Sequence, residues 1–429
     1  MNRTELTELI RNGENSGVEF KRDDIRPEAL AKEMAALLNL KGGYIVLGVE
    51  PDGSTVSGLT RPAERAEEWV MEVARVHLRP AAIPFWETLD WGDGKRVGVI
   101  SLPADAPDKP YKAKRGSAWA TQVRVGTTSR EATDDEEARL YMQSGRLQYD
   151  RKPIPGASLK DLDARRLTNY FRDVRRQAYP AAGDGEGWTR LLANTELMYE
   201  DRDRLMPSAG GLLLFGTRPN RYLPHAGISA AAYPGYTKDY NAKARESLRG
   251  PIVSLYGEAG GGVEYPAVPR SFSESSSAVE SGVIEQALDF VRRNVEVEAW
   301  IDAGGQRRER WDYPLEAVRE AIVNAIVHRD YTLTVLDIEV SIYVDRIEII
   351  SPGRLPNTVT VDKMRAGYRA SRNELIKEVL RDYRYVEASG LGVPRKIVAG
   401  MRAHNGTEPD LVEDDERFIV RLWKEARAG

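Results

Sequence analysis

The sequence predicts a multidomain protein of the α/β (α+β) class. Its 429 residues exceed what one hydrophobic core usually organises, helix-period and strand-period segments alternate along it, and two Pro-, Gly- or Ser-rich zones punctuate it. These zones predict an α/β domain over residues 1–148, a middle scaffold or linker domain over 149–300 and a second α/β domain over 301–429. No repeat of 20 to 50 residues marks a solenoid or propeller.

Composition narrows the class. Hydrophobic residues make up 41% and charged residues 30%, and no window approaches the roughly 18 to 20 apolar residues that a bilayer crossing needs. The opening MNRTELTELIRNGENSGVEFKRDD lacks an apolar signal core and is acidic, so a cytoplasmic protein without a membrane partner is expected. The absence of cysteine excludes disulfides and thiolate chemistry. His77, His225, His328 and His404 show no metal-ligand spacing such as HExxH. Sixty-two basic and sixty-six acidic residues give a net charge of -4, so a polyanion would have to be held by a local patch.

From the N-terminus, ENSGVEFK at residues 14–21 reads as a turn leading into a strand in which Glu19 and Lys21 share one face and Phe20 points into the core. PEALAKEMAALLNL at 27–40 repeats apolar residues at helical spacing. KGGYIVLGVEPDG follows as a buried strand that delivers Glu50 and Asp52 at its end. Acidic groups converging at strand ends can bind divalent cations for phosphodiester hydrolysis. The competing reading makes Glu14 and Glu19 surface charges paired with Lys21 or Arg22. Later strands are KRVGVISLP and AWATQVRVG, before a helical acidic run, TDDEEARLYMQSGRL.

Residues 108–130, DKPYKAKRGSAWATQVRVGTTSR, hold six basic residues against one acid, with Tyr111 and Trp119 among them. Phosphate contacts from Lys21, Lys109, Lys112, Lys114, Arg115 and Arg124, with Tyr111 as a stacking face, would suit a nucleic acid. A solvated hairpin with inward-packed aromatics fits the same residues.

In the middle, SLKDLDARRLTNYFRDVRR predicts an amphipathic helix and GGLLLFG a short buried strand. A Gly- and Ser-rich join is expected between Tyr233 and Gly282.

The C-terminal part carries the most patterned segment. WDYPLEAVREAIVNAIVHRDY at 311–331 predicts a helix with its proline near the first turn and a stripe of Leu315, Val318, Ala321, Ile322, Ala325 and Ile326. Glu320, Asn324 and His328 fall four residues apart, which stacks them on one face with a drift of about 40° per step. An amide and a carboxylate one turn apart suit magnesium and phosphate, the amide oxygen taking the metal and the carboxylate orienting water. DIEVSIYVDRIEIISPGRLP predicts two strands turning at Val344 and Asp345. ASGLGVPRKIVAGM places Gly390 and Gly392 before an apolar helix, where bare amides can hold phosphate.

EAIVNAIVHRDY, ISPGRLP, SRNELI and GLGVPRKI, in this order, resemble the GHKL-type ATP-binding domain found behind Schlafen AlbA-like domains in bacteria. The resemblance implies a two-layer α/β sandwich binding ATP and Mg2+. Asn324 would coordinate magnesium, Glu320 activate the hydrolytic water, Gly353 belong to the adenine-side loop, and Gly390, Leu391 and Gly392 contact phosphates. His328 belongs to the same motif and is placed beside the pocket. One departure is that Ser351 precedes Pro352 and Gly353, so the aspartate that usually accepts the adenine amine is absent.

ENSGVEFK, LNLKGGYIVLGVEPDG, KPY and VRVGTTSREA resemble the Schlafen AlbA-like domain over roughly residues 1 to 140. Relatives that cleave RNA use three acidic residues, which the resemblance places on Glu14, Glu19 and Glu50 as ligands for Mg2+ or Mn2+. The third is a glutamate where such nucleases typically have aspartate. The reading as a whole is an ATP-binding, homo-oligomeric regulator or defence protein with a DNA- or RNA-binding head. The alternatives are a metal-dependent endoribonuclease and a nucleotide sensor acting through protein contacts.

Overall fold

A computed structural model describes the chain except residues 105, 202–203, 257–277, 302–303, 356–358, 369–370, 387–389, 415 and 426–429. Helices and sheets are mixed throughout, and the chain divides into two compact units, Met1–Leu147 and Gln148–Gly429.

In the first unit a four-stranded sheet runs in the order Val18–Lys21, Gly43–Leu47, Lys95–Leu102, Phe85–Gly92, parallel in its first pair and antiparallel in the others. Strand alternation sends Phe20, Val46, Val97 and Val99 to one face, where Leu6 of the helix Arg3–Asn12 covers them. Ile45, Leu47 and Ile100 point the other way, onto the helices Pro27–Asn39 and Ala63–Val76. The helix Pro27–Asn39 also packs on a second sheet, Leu78–Arg79, Lys112–Arg115, Ala118–Val125, Thr128–Glu131, so every residue from Met34 to Asn39 is buried. The acidic run begins its helix at Asp134 behind a capping box of Thr133 and Glu136.

The second unit is built on a six-stranded sheet in the order Ala244–Leu248, Ile228–Ala232, Ile338–Ile342, Arg346–Pro352, Arg417–Trp423, Asp410–Glu413. Only Ile228–Ala232 and Ile338–Ile342 pair in parallel. The helices Val283–Asn294 and Leu315–His328 cover one face with an apolar core that includes Val318, Ile322, Ile347 and Ile349. The other face carries ion pairs such as Arg346 and Arg421 with Glu348, at 2.9 and 2.8 Å. This is a two-layer arrangement.

Three expectations change. The segment 149–300 is no separate domain: its strands Ile228–Ala232 and Ala244–Leu248 extend the sheet that the later strands begin, and one core runs through both parts. GGLLLFG is not a strand but belongs to the helix Ala209–Phe215, opened by Ser208, whose Oγ accepts from the Gly211 amide at 3.0 Å. All seven residues of that helix are buried, so no polar face marks a helical period and a buried strand would read alike. The expected helix at 158–176 starts late, at Ala164, where Asp163 caps it. Part of the join expected within 233–282, residues 257–277, lies outside the described residues.

Candidate functional site

The helix Leu315–His328 begins after Pro314 and buries the predicted stripe. Its polar residues Glu320, Asn324 and His328 line a cavity of about 100 Å³ whose other walls include Leu355, Tyr368, Ser371, Lys377, Gly390 and Gly392. A second lobe of about 40 Å³ shares Asn324, His328, Leu355, Met364 and Val393 with the first. It is apolar, walled by Ile349, Ile397, Phe418 and Val420, with Ser351 and Gly353 at its edge.

The glycines are required by close approach. Glu320 is buried, and a Cβ added to Gly392 would lie 1.9 Å from its Oε1. Gly353 has φ +104°, and a Cβ there would meet Asp330 Cβ at 2.5 Å. Asp330 is itself locked by Arg372 and by Thr332, whose amide and hydroxyl donate to it at 3.0 and 2.6 Å. Gly390 has φ +70°, and Leu391 leads into the helical stretch Gly392–Ala399. Ser351 turns away from a ligand-facing role, its hydroxyl donating to the Ala325 carbonyl at 2.9 Å.

Asn324 Nδ2 donates to Glu320 Oε1 at 3.1 Å, and Lys396 Nζ lies 3.6 Å from Glu320 Oε2. Burial first, then the charges of Arg372 and Lys377, push the His328 imidazole down to about 4, so it is neutral at physiological pH. Ser371 Oγ is buried without a hydrogen-bond partner among the described residues. Sequence reasoning missed Tyr368, Ser371, Lys377 and Lys396. SRNELI pointed to the segment of Ser371, but neither a lone serine nor a lysine on a helix carries a signal of its own.

In the first unit the acidic trio does not form a metal centre. Glu14 and Glu19 are close, Glu14 Oε1 accepting from the Phe20 amide at 2.9 Å and its carboxyl held above the usual range by burial and, after that amide's opposing pull, by Glu19. Glu19 is buried and engaged by Arg124 at 2.6 Å and by Lys21, whereas Glu50 lies 3.9 Å from Arg22. Among the described residues no group of three or more His, Cys, Asp or Glu side chains could hold a metal ion. Glu19 is held by Arg124 and Lys21 and Glu14 by the Phe20 amide, so these two carboxylates already have partners where the endoribonuclease reading assigned them to a cation.

Part of the basic surface is likewise internal. Arg124 has no exposed side-chain surface. It bridges Glu19 and Glu33 and donates to the carbonyls of Asn15 and Val18. Lys109 is buried and donates to the Leu40 carbonyl at 2.7 Å, a cation at a helix C-terminus. Tyr111 packs in the core, its backbone clamped by Asn39: the Tyr111 amide donates to Asn39 Oδ1, and Asn39 Nδ2 donates to the Tyr111 carbonyl, both at 2.7 Å. These three residues hold the fold and cannot face a phosphate.

Lys21 ends a strand of the first sheet, paired with Glu19, and the remaining cations of the 108–130 run lie on the second sheet. Lys112, paired with Glu137, and Lys114 alternate on one strand, with Trp119 directly opposite Lys114. Arg79, opposite Lys112, sets its guanidinium 4.3 Å from the centre of the Trp119 ring. Arg115 is exposed and pairs with Glu131 at 2.7 Å. Arg79 was not legible as part of this patch because thirty residues separate it from the basic run.

Among the described residues no helix is long and apolar enough to cross a membrane. Residues 14–133 match the family model described as "Schlafen, AlbA_2". Residues 336–422 match the HATPase_c_4 family, described as "Putative ATP-dependent DNA helicase recG C-terminal". The helix bearing Glu320, Asn324 and His328 precedes that second match, so its place in the site rests on geometry. No curated protein matches the chain. Among solved structures, the DIP2311 protein from Corynebacterium diphtheriae is similar at 20% identity over 95% of this chain and 75% of its own, with a TM-score of 0.43. The N-terminal domain of a "Putative ATP-dependent DNA Helicase RecG-related Protein" from Nitrosomonas europaea is similar at 22% identity over 31% of this chain and 94% of its own, with a TM-score of 0.25. The chain thus carries a Schlafen AlbA_2 domain in its first unit and an ATPase-like domain of the recG C-terminal family in its second.

Proposed function

We propose that the second unit binds ATP with Mg2+ and that this binding controls nucleic-acid association by the first. The observation that carries the reading is the cavity itself, which brings Glu320 and Asn324 against Gly390 and Gly392 and continues into an apolar lobe edged by Gly353. The lobe offers apolar walls of the kind a base ring stacks on, and the first cavity offers amide, carboxylate and bare backbone. With the amide NH2 of Asn324 committed to Glu320, its oxygen is the atom left to meet a cation. Glu320, one turn away, is placed to orient water. Bound ATP would supply a phosphoanhydride whose presence or loss sets the state of the protein. With Ser351 in this place the lobe has no carboxylate for the base amine among the described residues, so apolar contact carries base recognition.

For the head, the match to the Schlafen AlbA_2 family and the patch of Arg79, Lys112, Lys114, Arg115 and Trp119 support nucleic-acid association. Regulation of transcription and defence against phage would both use such a protein, as a homo-oligomer or otherwise. Calorimetry with Mg2+ and ATP, ADP or GTP tests the pocket, and the absence of heat for all three sinks the reading. Fluorescence anisotropy with duplex DNA and with tRNA, with and without ATP, tests the control. An affinity that nucleotide leaves unchanged favours a sensor acting through protein contacts.

A further inference from the structure

We infer that Ser371 and Lys377 form a phosphate-binding pair in the larger lobe of the cavity, recognising the tail of the bound nucleotide. The inference rests on the nucleotide reading above and assigns its phosphate end to residues outside the glycine segment.

Both side chains line the larger lobe, and neither borders the apolar one. The Ser371 hydroxyl is buried and has no hydrogen-bond partner among the described residues, although it faces a cavity. Buried hydroxyls are ordinarily bonded, and one left open toward a cavity is accounted for by a ligand or water. Lys377 sits one turn into the helix Glu374–Asp382, its Nζ 3.2 Å from both carboxylate oxygens of Glu374. That bond orients the ammonium yet leaves it a further donor. His328 lines the same lobe beside the charges of Arg372 and Lys377, and remains uncharged with one N–H to give. A hydroxyl, an ammonium and a neutral imidazole together offer donors to an anion. The lining also includes Gly390 and Gly392, whose backbone would add contacts to a phosphate chain held by these donors.

The test is calorimetry on the full chain with Mg2+ and, in parallel, ATP, adenosine and tripolyphosphate. Lys377→Met keeps the aliphatic stem and removes the charge. The expected result is a loss of roughly tenfold or more in ATP and tripolyphosphate affinity, the range of a charge-assisted hydrogen bond, with adenosine affinity unchanged. Lys377→Arg should restore most of the loss, and Ser371→Ala should weaken ATP by a few-fold, about that of a neutral hydrogen bond. An ATP-to-adenosine affinity ratio unaltered by Lys377→Met overturns the pair and leaves the nucleotide reading standing. A wild-type protein that binds neither ATP nor tripolyphosphate overturns both. Equal weakening of ATP and adenosine assigns Lys377 to the fold and overturns the inference as well.

Discussion

The carboxylate of Glu320 fills the space that a side chain at Gly392 would need, with Oε1 only 1.9 Å from the position of a Cβ there. Two segments about seventy residues apart in the chain are therefore fitted to each other in the lining of the cavity. Gly392→Ala should displace either the carboxylate or the start of the Gly392–Ala399 helical stretch. Because the carboxylate is also tied to Asn324 and Lys396, its movement should disturb the amide proposed above as the cation ligand. The expected outcome is a loss of Mg2+-dependent ATP affinity of roughly tenfold or more, since one good charge-assisted contact has that value. Undiminished binding, measured calorimetrically on a variant with an unchanged circular dichroism spectrum, would mean that Glu320 stands outside the ligand.

Asn324→Ala separates ligand binding from folding more cleanly. The side chain is half-buried, and its one described hydrogen bond is to Glu320. Truncation should cost stability by no more than about 1 kcal/mol while removing the Mg2+ dependence of ATP binding. ATP titrations with Mg2+ and with EDTA read the effect, and a Mg2+ dependence that survives the change rules out the amide as a cation ligand.

The helix Leu315–His328 was readable from sequence because its apolar stripe and its polar face repeat with one period, and the structure keeps both. Gly353 was singled out through the family resemblance, and Gly390 and Gly392 through that resemblance and their place just before an apolar helix; all three border the cavity. Ser371 and Lys377 were not, since the cavity they join is made only when the helix Glu374–Asp382 packs beside His328. The basic run misled for the opposite reason. Charge counts its residues alike, yet burial turns Lys109 and Arg124 inward, where a helix end and two glutamates satisfy them. The helix Ala209–Phe215 shows the limit of periodicity, which needs a polar face to be seen.

That distinction among the cations is measurable. Arg124→Met leaves Glu19 buried beside Glu14 with one fewer positive charge, and breaking a buried pair from one side typically costs about 3–5 kcal/mol. The first unit should unfold at markedly lower urea concentration. Lys114→Ala, at a half-buried lysine paired across the strands with Trp119, should leave the urea midpoint in place and weaken nucleic-acid binding across sequences, with a shallower salt dependence. Arg124→Met that retains stability and loses nucleic-acid affinity would return Arg124 to the binding surface.

Asp150 gives the second unit a pH dependence of defined sign. It has no exposed surface, accepts from the Ile376 amide at 3.1 Å at the start of the helix Glu374–Asp382, and has an Oδ1 without a partner among the described residues. Burial, opposed by the Ile376 and Leu375 amides, pushes its carboxyl from 3.8 up to about 6. The folded protein therefore holds the proton more tightly than the unfolded chain. Its contribution is fully present below the unfolded value and is lost as pH rises through the folded one. At 1.36 kcal/mol per unit, the roughly two-unit shift sets a ceiling of about 3 kcal/mol. Asp150→Asn keeps an acceptor for the amides and cannot ionise, so relative to wild type it should grow more stabilising between about pH 4 and about pH 6 and level off above. Hydrogen exchange in segment 374–382 reports on this unit alone. A wild-type-to-variant difference that stays constant across that window would show that Asp150 titrates as it does in the unfolded chain.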